Sequence, residues 1–177
     1  MSLSGKIETT ANVATIVVAV LLSAVLIKLY VLPSRAESKV PVASAPEVVR
    51  GKNLDGRLLG VDWTKNHRTL VLAISTTCHY CNESVPFFRT LGTAGKDVKM
   101  LAVLPQPVTE ARQYLSNAGV RVDDVRQVPL NTLGVRGTPT LLLVNDAGVV
   151  TDVWVGKLEP DQQTQVLAAL ENKTSGG

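Results

Sequence analysis

Cys78 and Cys81 are the residues of this chain whose types and spacing most directly suggest chemistry. They are its two cysteines, and only His79 and Tyr80 separate them. A disulfide scaffold spreads its cysteines along the chain, and a structural zinc site usually adds a second Cys or His pair further on. Neither pattern is present, so the spacing indicates one local pair that can form and break a disulfide.

The pair falls where an apolar run of strand length, residues 68–75, gives way to a helical pattern over residues 79–91. Unpaired N–H groups and the positive end of the helix dipole would face Cys78 and favour its thiolate. Cys81 returns one turn later, close enough to resolve a mixed disulfide. We therefore expect Cys78 to be the nucleophile and Cys81 the resolving thiol, with His79 and Tyr80 tuning them. The competing interpretation is two small buried core residues.

A second element, Gly137-Thr138-Pro139-Thr140, enters an apolar run that continues to Val144. Proline cannot donate a hydrogen bond to a sheet ladder. Pro139 therefore indicates either a turn before the strand or a cis peptide bond.

The part of the chain after residue 46 alternates strand and helix patterns, which predicts an α/β fold with helices packed around a mixed sheet. The segment Gly51–Asp62 contains turn residues and predicts short strands in a hairpin. The remaining elements are predicted as strands over 68–75, 98–104, 140–144 and 149–155, and helices over 79–91, 108–118 and 160–171.

Together, the two motifs resemble the thioredoxin superfamily, and within it the membrane-tethered TlpA/ResA-like redoxins. The matching text is STTCHYCNESVPFFRTL, LGVRGTPTLLLVNDAGVV and VGKL, and the resemblance covers the chain from about Arg50 onward. It implies a thioredoxin-like fold and thiol-disulfide oxidoreductase activity, more as a reductant than as an oxidant. It also implies that the backbone before Pro139, at Thr138, binds substrate, and that Pro86 kinks the active-site helix. No cofactor beyond the redox pair and no metal is expected.

The sequence departs from the family pattern at three positions. Thr77 replaces a frequent Trp, and Leu72 occupies the position of a buried acid on the preceding strand. Ser84 stands where the redoxins often have Glu, and Glu83 lies one residue earlier, about 100° round a helix. We therefore expect Glu83 to be a first-turn acid that balances the helix dipole rather than a proton relay.

Four other residues are expected to have no part in the chemistry. Trp63 and Trp154 are expected to pack, His67 to be solvated, and Arg136 to border the active-site loop without an assigned role.

The N-terminal part of the chain predicts a membrane anchor after a short tail, residues 1–10. Residues 11–32 are mostly apolar and contain one charge, Lys28, and as a helix they would rise about 33 Å, enough to cross a hydrocarbon core of about 30 Å. A small-residue pattern at Ala43-Ser44-Ala45 suggests a cleaved signal peptide instead. It lies far beyond the apolar run and Pro46 follows it, so we favour an uncleaved anchor.

Residues 33–46 are rich in Pro, Ala and Ser and are expected to form a flexible linker to a single domain, residues 47–177. A positive-inside count would place that domain in the cytoplasm. Disulfide chemistry instead places it outside, in the periplasm or at the cell surface, on a single-pass inner-membrane protein. The two expectations conflict.

Expected partners are protein thiols and disulfides, the membrane, and a membrane thiol protein that supplies electrons. The net charge of +3, from 18 basic and 15 acidic residues, is too small to indicate nucleic-acid binding. Two other functions compete with thiol-disulfide exchange. The cysteines, with His79 or His67, could bind or deliver copper, because soft thiolates suit Cu(I). A peroxidase of the same fold is disfavoured, because residues 69–77 contain no proline.

Overall fold

The computed structural model describes residues 21–23, 47–94 and 97–171. The chain divides into two compact units, Met1–Val42 and Ala43–Gly177. In the first, residues 21–23 are helical and exposed. The rest of the predicted anchor, and the predicted linker, lie outside the described residues. Within the described residues, no helix has both the length and the apolar character needed to cross a bilayer.

The second unit contains a mixed sheet of five strands, in the order β3-β2-β1-β4-β5, with helices before and between the strands and after the last. The strands β1, β2 and β3 are parallel, β4 is the antiparallel neighbour of β1, and β5 is the antiparallel neighbour of β4. In chain order the elements are α1 (Gly56–Leu59), β1 (Arg68–Ala73), α2 (His79–Glu83), α3 (Val85–Leu91), β2 (Val98–Leu104), α4 (Val108–Asn117), β3 (Asp124–Gln127), β4 (Thr140–Asn145), β5 (Val150–Val155) and α5 (Pro160–Glu171).

The central strand β1 packs a hydrophobic core on each face, because successive side chains of a strand point to opposite sides. Leu70 and Leu72 belong to the core that includes Phe88. Val71 and Ala73 belong to the core on the other face. Burial on both faces explains why the strand is a continuous apolar run rather than an alternating one.

Trp63 is a packing residue, as expected. It is 8% exposed, and its indole nitrogen donates a 3.0 Å hydrogen bond to the Leu54 carbonyl oxygen.

The helix predicted over residues 79–91 is divided into α2 and α3. Pro86, at the start of α3, has no N–H to continue the helical ladder. The Ser84 hydroxyl donates to the Tyr80 carbonyl oxygen at 2.7 Å, and its N–H also bonds back into α2. The division leaves α2 as a separate turn of helix that carries the cysteine pair.

The predicted hairpin over Gly51–Asp62 is wrong. This segment contains the short helix α1, and its only pairing among the described residues is an isolated bridge between Asn53 and Val149. The turn residues act as helix caps instead: the Asp55 side chain accepts from the Arg57 N–H, and Gly60 ends the helix at φ 61°. Helix caps and hairpin turns use the same residue types, so the local sequence does not distinguish them.

The edge strand β3 was not predicted. It has four residues, and of these only Val125 is buried. Such a segment has too short a hydrophobic pattern to be recognised locally, and it becomes a strand by pairing with β2.

Candidate active site

Cys78 caps the start of α2, with φ −83° and ψ 117°. Its sulfur accepts a 3.1 Å hydrogen bond from the backbone N–H of Cys81. The predicted strand-to-helix position is therefore observed. Because α2 has only five residues, the contribution of its backbone to thiolate stabilisation is this direct N–H contact rather than a long helix dipole.

The loop before β4 lies against the same sulfur. The Cys78 thiol donates to the Thr138 carbonyl oxygen at 3.3 Å, and the Thr138–Pro139 peptide bond is cis. The loop is held at its far side, where the Gly156 N–H donates to the Pro139 carbonyl oxygen at 2.7 Å. The Thr140 hydroxyl donates to the Gly137 carbonyl oxygen at 2.7 Å. The structure thus brings together Cys78, Cys81, Thr138 and Pro139.

The two thiols differ sharply in environment. Cys78 is half-buried, whereas Cys81 is fully buried in the core beside α3. Burial, the hydrogen bond with Cys78 and the charge of the Cys78 thiolate raise the pKa of Cys81 to about 12. Cys78, the thiol nearer the surface, is therefore the one able to ionise first.

The pKa of Cys78 is lowered. Burial alone would raise it, but hydrogen bonds from the Cys81 thiol, the Thr138 side chain and the backbone of Cys81 and Tyr80 outweigh that cost. The dithiol therefore loses its first proton at Cys78 and keeps the second at Cys81, which is the division of roles expected for a nucleophile and a resolving thiol.

His79 and Tyr80, the two residues between the cysteines, point outward. Both side chains are exposed, and their rings contact each other edge to face with centroids 5.6 Å apart. His79 Nε2 lies 3.2 Å from Glu83 Oε1, and Lys157 Nζ lies 3.0 Å from Glu83 Oε2. The Lys157 hydrogen bond lowers the pKa of Glu83. Glu83 is the last residue of α2, so its expected place in the first turn is wrong; its carboxylate contacts Lys157 and the His79 ring at the surface.

Sequence reasoning missed a polar group on the other side of the pair. Gln106 lies in the loop between β2 and α4, and Glu110 lies in the first turn of α4. Gln106 hydrogen-bonds to Ser75, and Glu110 to Thr76, in the loop that leads to Cys78. Tyr114, on α4, donates to the Asn82 side-chain oxygen at 2.8 Å. No local motif marks these residues, and only the i, i+4 spacing of Glu110 and Tyr114 hints at a shared helical face.

The remaining residues lie elsewhere. His67 is exposed, as expected, and Trp154 packs partly buried against the core. Arg136 forms a 3.7 Å ion pair with Glu47. Among the described residues, no three or more His, Cys, Asp or Glu side chains converge on a point where they could hold a metal ion.

No family model and no curated protein sequence matches the chain. Solved structures do match. A Chlorobium tepidum protein assigned as the thiol:disulfide interchange protein DsbE has a TM-score of 0.52 and 21% identity, covering 70% of this chain and 99% of that one.

Two further solved structures agree. A secreted Mycobacterium tuberculosis disulfide oxidoreductase has a TM-score of 0.51 and 14% identity, over 69% of this chain and 96% of its own. A Corynebacterium glutamicum thiol-disulfide isomerase has a TM-score of 0.50 and 14% identity, over 73% of this chain and 94% of its own. At these identities the likeness establishes the fold: the chain has the thioredoxin-like fold that the sequence predicts.

Proposed function

We propose that this protein, a chain of thioredoxin-like fold, catalyses thiol-disulfide exchange on protein substrates. Cys78 is the nucleophile and Cys81 the resolving thiol. One observation carries the proposal: the half-buried Cys78 sulfur accepts the backbone N–H of Cys81 at 3.1 Å, whereas the Cys81 thiol is fully buried. This arrangement lowers the pKa of Cys78 and raises that of Cys81. Proteins of the same fold that are named as thiol:disulfide interchange proteins support it.

The reaction follows from this division. The Cys78 thiolate attacks one sulfur of a substrate disulfide; a new S–S bond forms, the old one breaks, and one substrate sulfur leaves as a thiolate. The Cys81 thiolate then attacks Cys78 Sγ and releases the second substrate sulfur. The substrate gains two electrons and the Cys78–Cys81 pair becomes a disulfide. The proton lost by Cys81 is balanced by protonation of a departing substrate thiolate.

The first step also prepares the second. Two of the causes that raise the pKa of Cys81 are the hydrogen bond with Cys78 and the charge of its thiolate. Both are lost once Cys78 is bound to substrate, and only burial remains. Cys81 is therefore easiest to ionise in the mixed disulfide, when its attack is needed.

Thr138 is proposed to bind the substrate backbone. Its carbonyl oxygen lies beside the Cys78 sulfur. A substrate segment paired with the backbone at Thr138 would bring its disulfide within reach of the nucleophile.

The proposed direction is reduction of substrate disulfides, with electrons supplied by a membrane thiol protein. This direction rests on the resemblance to membrane-tethered redoxins. We further propose that residues 11–32 anchor the chain in the inner membrane and that the domain faces the periplasm or cell exterior. Protease treatment of spheroplasts, before and after lysis, would test this: digestion only after lysis would refute the outward orientation.

The function is tested by redox titration of the full-length protein in mild detergent. A Cys78–Cys81 potential near about −270 mV would mark a reductant, and one near about −120 mV a disulfide donor. Cys81→Ser should trap a mixed disulfide with substrate, whereas Cys78→Ser should trap none. If Cys78 and Cys81 of the wild-type protein form no disulfide at any redox potential of the buffer, thiol-disulfide exchange is refuted. Stoichiometric Cu(I) retained by the purified wild-type protein, and lost in both variants, would then identify metal handling.

A further inference from the structure

Gln106 lies on a stiff segment just beyond the carboxyl end of β2. Pro105 precedes it and Pro107 follows it. Each proline ring fixes its own φ, and Pro107 also restricts the backbone of Gln106 to extended conformations. Because β1 and β2 are parallel neighbours, both strands end at the same edge of the sheet. Gln106 therefore lies beside the loop that leads from β1 to Cys78.

The amide group of Gln106 binds this loop with both of its ends. Its Nε2 donates to the Ser75 hydroxyl oxygen at 2.8 Å, and its Oε1 accepts from the Thr76 N–H at 3.4 Å. A second contact from the same segment joins the Glu110 carboxylate to the Thr76 hydroxyl, but it is exposed. The contacts of Gln106 are half-buried, so water competes with them less.

Ser75 begins the turn that places the nucleophile. Its carbonyl oxygen accepts the Cys78 N–H at 3.1 Å, which closes a β-turn. The Cys78 sulfur then lies between two partners, the Cys81 N–H at 3.1 Å and the Thr138 carbonyl oxygen at 3.3 Å. Where the sulfur lies depends on where the turn places the Cys78 backbone. A continuous path of hydrogen bonds thus runs from Gln106 through Ser75 to Cys78.

We propose that Gln106 is a positioning residue for the nucleophile: by holding the Ser75 hydroxyl, it fixes the turn that keeps the Cys78 sulfur at the Cys81 N–H. This inference rests on the proposed function and adds to it. Gln106 acts through Ser75. If the turn shifts, the sulfur loses an N–H that stabilises its thiolate, so the effect falls on the first attack of the exchange.

The pH profile of Cys78 alkylation tests this role. Gln106→Met keeps the length of the side chain but removes the amide donor and acceptor. A sulfur that is held less often at the Cys81 N–H forms a less stabilised thiolate. We therefore expect the midpoint for Cys78 to rise by roughly half a pH unit, less than the loss of one whole hydrogen bond. Iodoacetamide rates from pH 5 to pH 10 on the reduced full-length protein, in mild detergent, give the midpoint.

A matched control and a second variant sharpen the test. Gln113→Met makes the same substitution at an exposed position of α4 and should leave the Cys78 midpoint at its wild-type value. Ser75→Ala removes the oxygen that Gln106 binds and should also raise the midpoint, so it tests the proposal even if Gln106→Met fails to fold. The double variant should shift by less than the sum of the two single shifts, because both remove the same hydrogen bond.

The outcomes separate this inference from the function beneath it. If redox titration of the wild-type protein yields no Cys78–Cys81 disulfide, the proposed function fails, and this inference fails with it. If the disulfide forms but Gln106→Met and Ser75→Ala leave the midpoint unchanged, the positioning role alone is refuted. An equal shift in Gln113→Met would also refute it. So would alkylation of Cys81 in Gln106→Met, assigned by mass spectrometry, because exposure of that buried thiol would mean general loosening of the site.

Discussion

The sulfur of Cys78 lies 3.3 Å from the carbonyl oxygen of Thr138, a residue 60 positions further along the chain. The first residue belongs to the cysteine motif and the second to the loop before β4. The sheet brings them together because β1, which leads to Cys78, is the antiparallel neighbour of β4, which starts at Thr140. The Cys78 sulfur therefore faces an irregular backbone segment that the two strands position.

The opposite pKa shifts of the two thiols predict a distinct pH profile of alkylation. Iodoacetamide reacts with the thiolate, so modification of Cys78 should fall as pH drops through its pKa, with a midpoint below the ordinary value of about 8.5. Cys81, whose pKa is raised to about 12, should remain unmodified across the same range. Rates are measured from pH 5 to pH 10, with mass spectrometry to assign the modified cysteine.

Cys81→Ala is the control for that profile. It removes the thiol whose hydrogen bond is the largest favourable contribution to the Cys78 thiolate, so the Cys78 midpoint should move upward. A wild-type midpoint at or above about 8.5 would contradict the assignment of Cys78 as the activated nucleophile.

Glu83→Gln should leave the resolving step unchanged. The Glu83 carboxylate is engaged with Lys157 and His79 at the surface, so we expect it not to relay a proton to Cys81. The assay uses Ellman's reagent, an aryl disulfide, from which attack by Cys78 releases one aryl thiolate and attack by Cys81 releases a second in a later phase. The two phases are compared at several pH values, with Lys157→Met as a control that removes the other half of the ion pair. A second phase slowed by Glu83→Gln but not by Lys157→Met would show that Glu83 does transfer protons.

Gly148→Ala should destabilise the fold more than Gly51→Ala. Both glycines have positive φ, 76° and 83°, so an added methyl group costs about 1–2 kcal/mol in backbone conformation at either position. At Gly148 the new Cβ would also lie 2.7 Å from the Trp63 ring, whereas at Gly51 it would meet nothing within 4 Å. The overlap should add about 1–3 kcal/mol. Urea unfolding of both variants measures the difference, and equal losses would refute the close packing.

The elements predicted most accurately from sequence are those with strong local patterns. The bounds of β2, Val98–Leu104, and α5, Pro160–Glu171, agree with prediction, because long apolar runs and helix-start residues are local signals. The helix at Gly56–Leu59 and the strand at Asp124–Gln127 were missed. At Gly56–Leu59, the capping residues are of the same types that form turns. At Asp124–Gln127, the strand forms because it pairs with β2, and its own sequence pattern does not indicate it.

The chemistry of the site divides in the same way. The sequence by itself determined the Cys78–Cys81 spacing, their place between a strand and a helix, and the separate Thr138-Pro139 motif, because each is a relation between near neighbours. Only the tertiary structure decided that Thr138 meets Cys78, that Cys81 is the buried thiol, and that Gln106 reaches Ser75 from 31 residues away. Those contacts depend on how strands distant in sequence pair and on which side of the sheet each segment packs, and no local pattern encodes either.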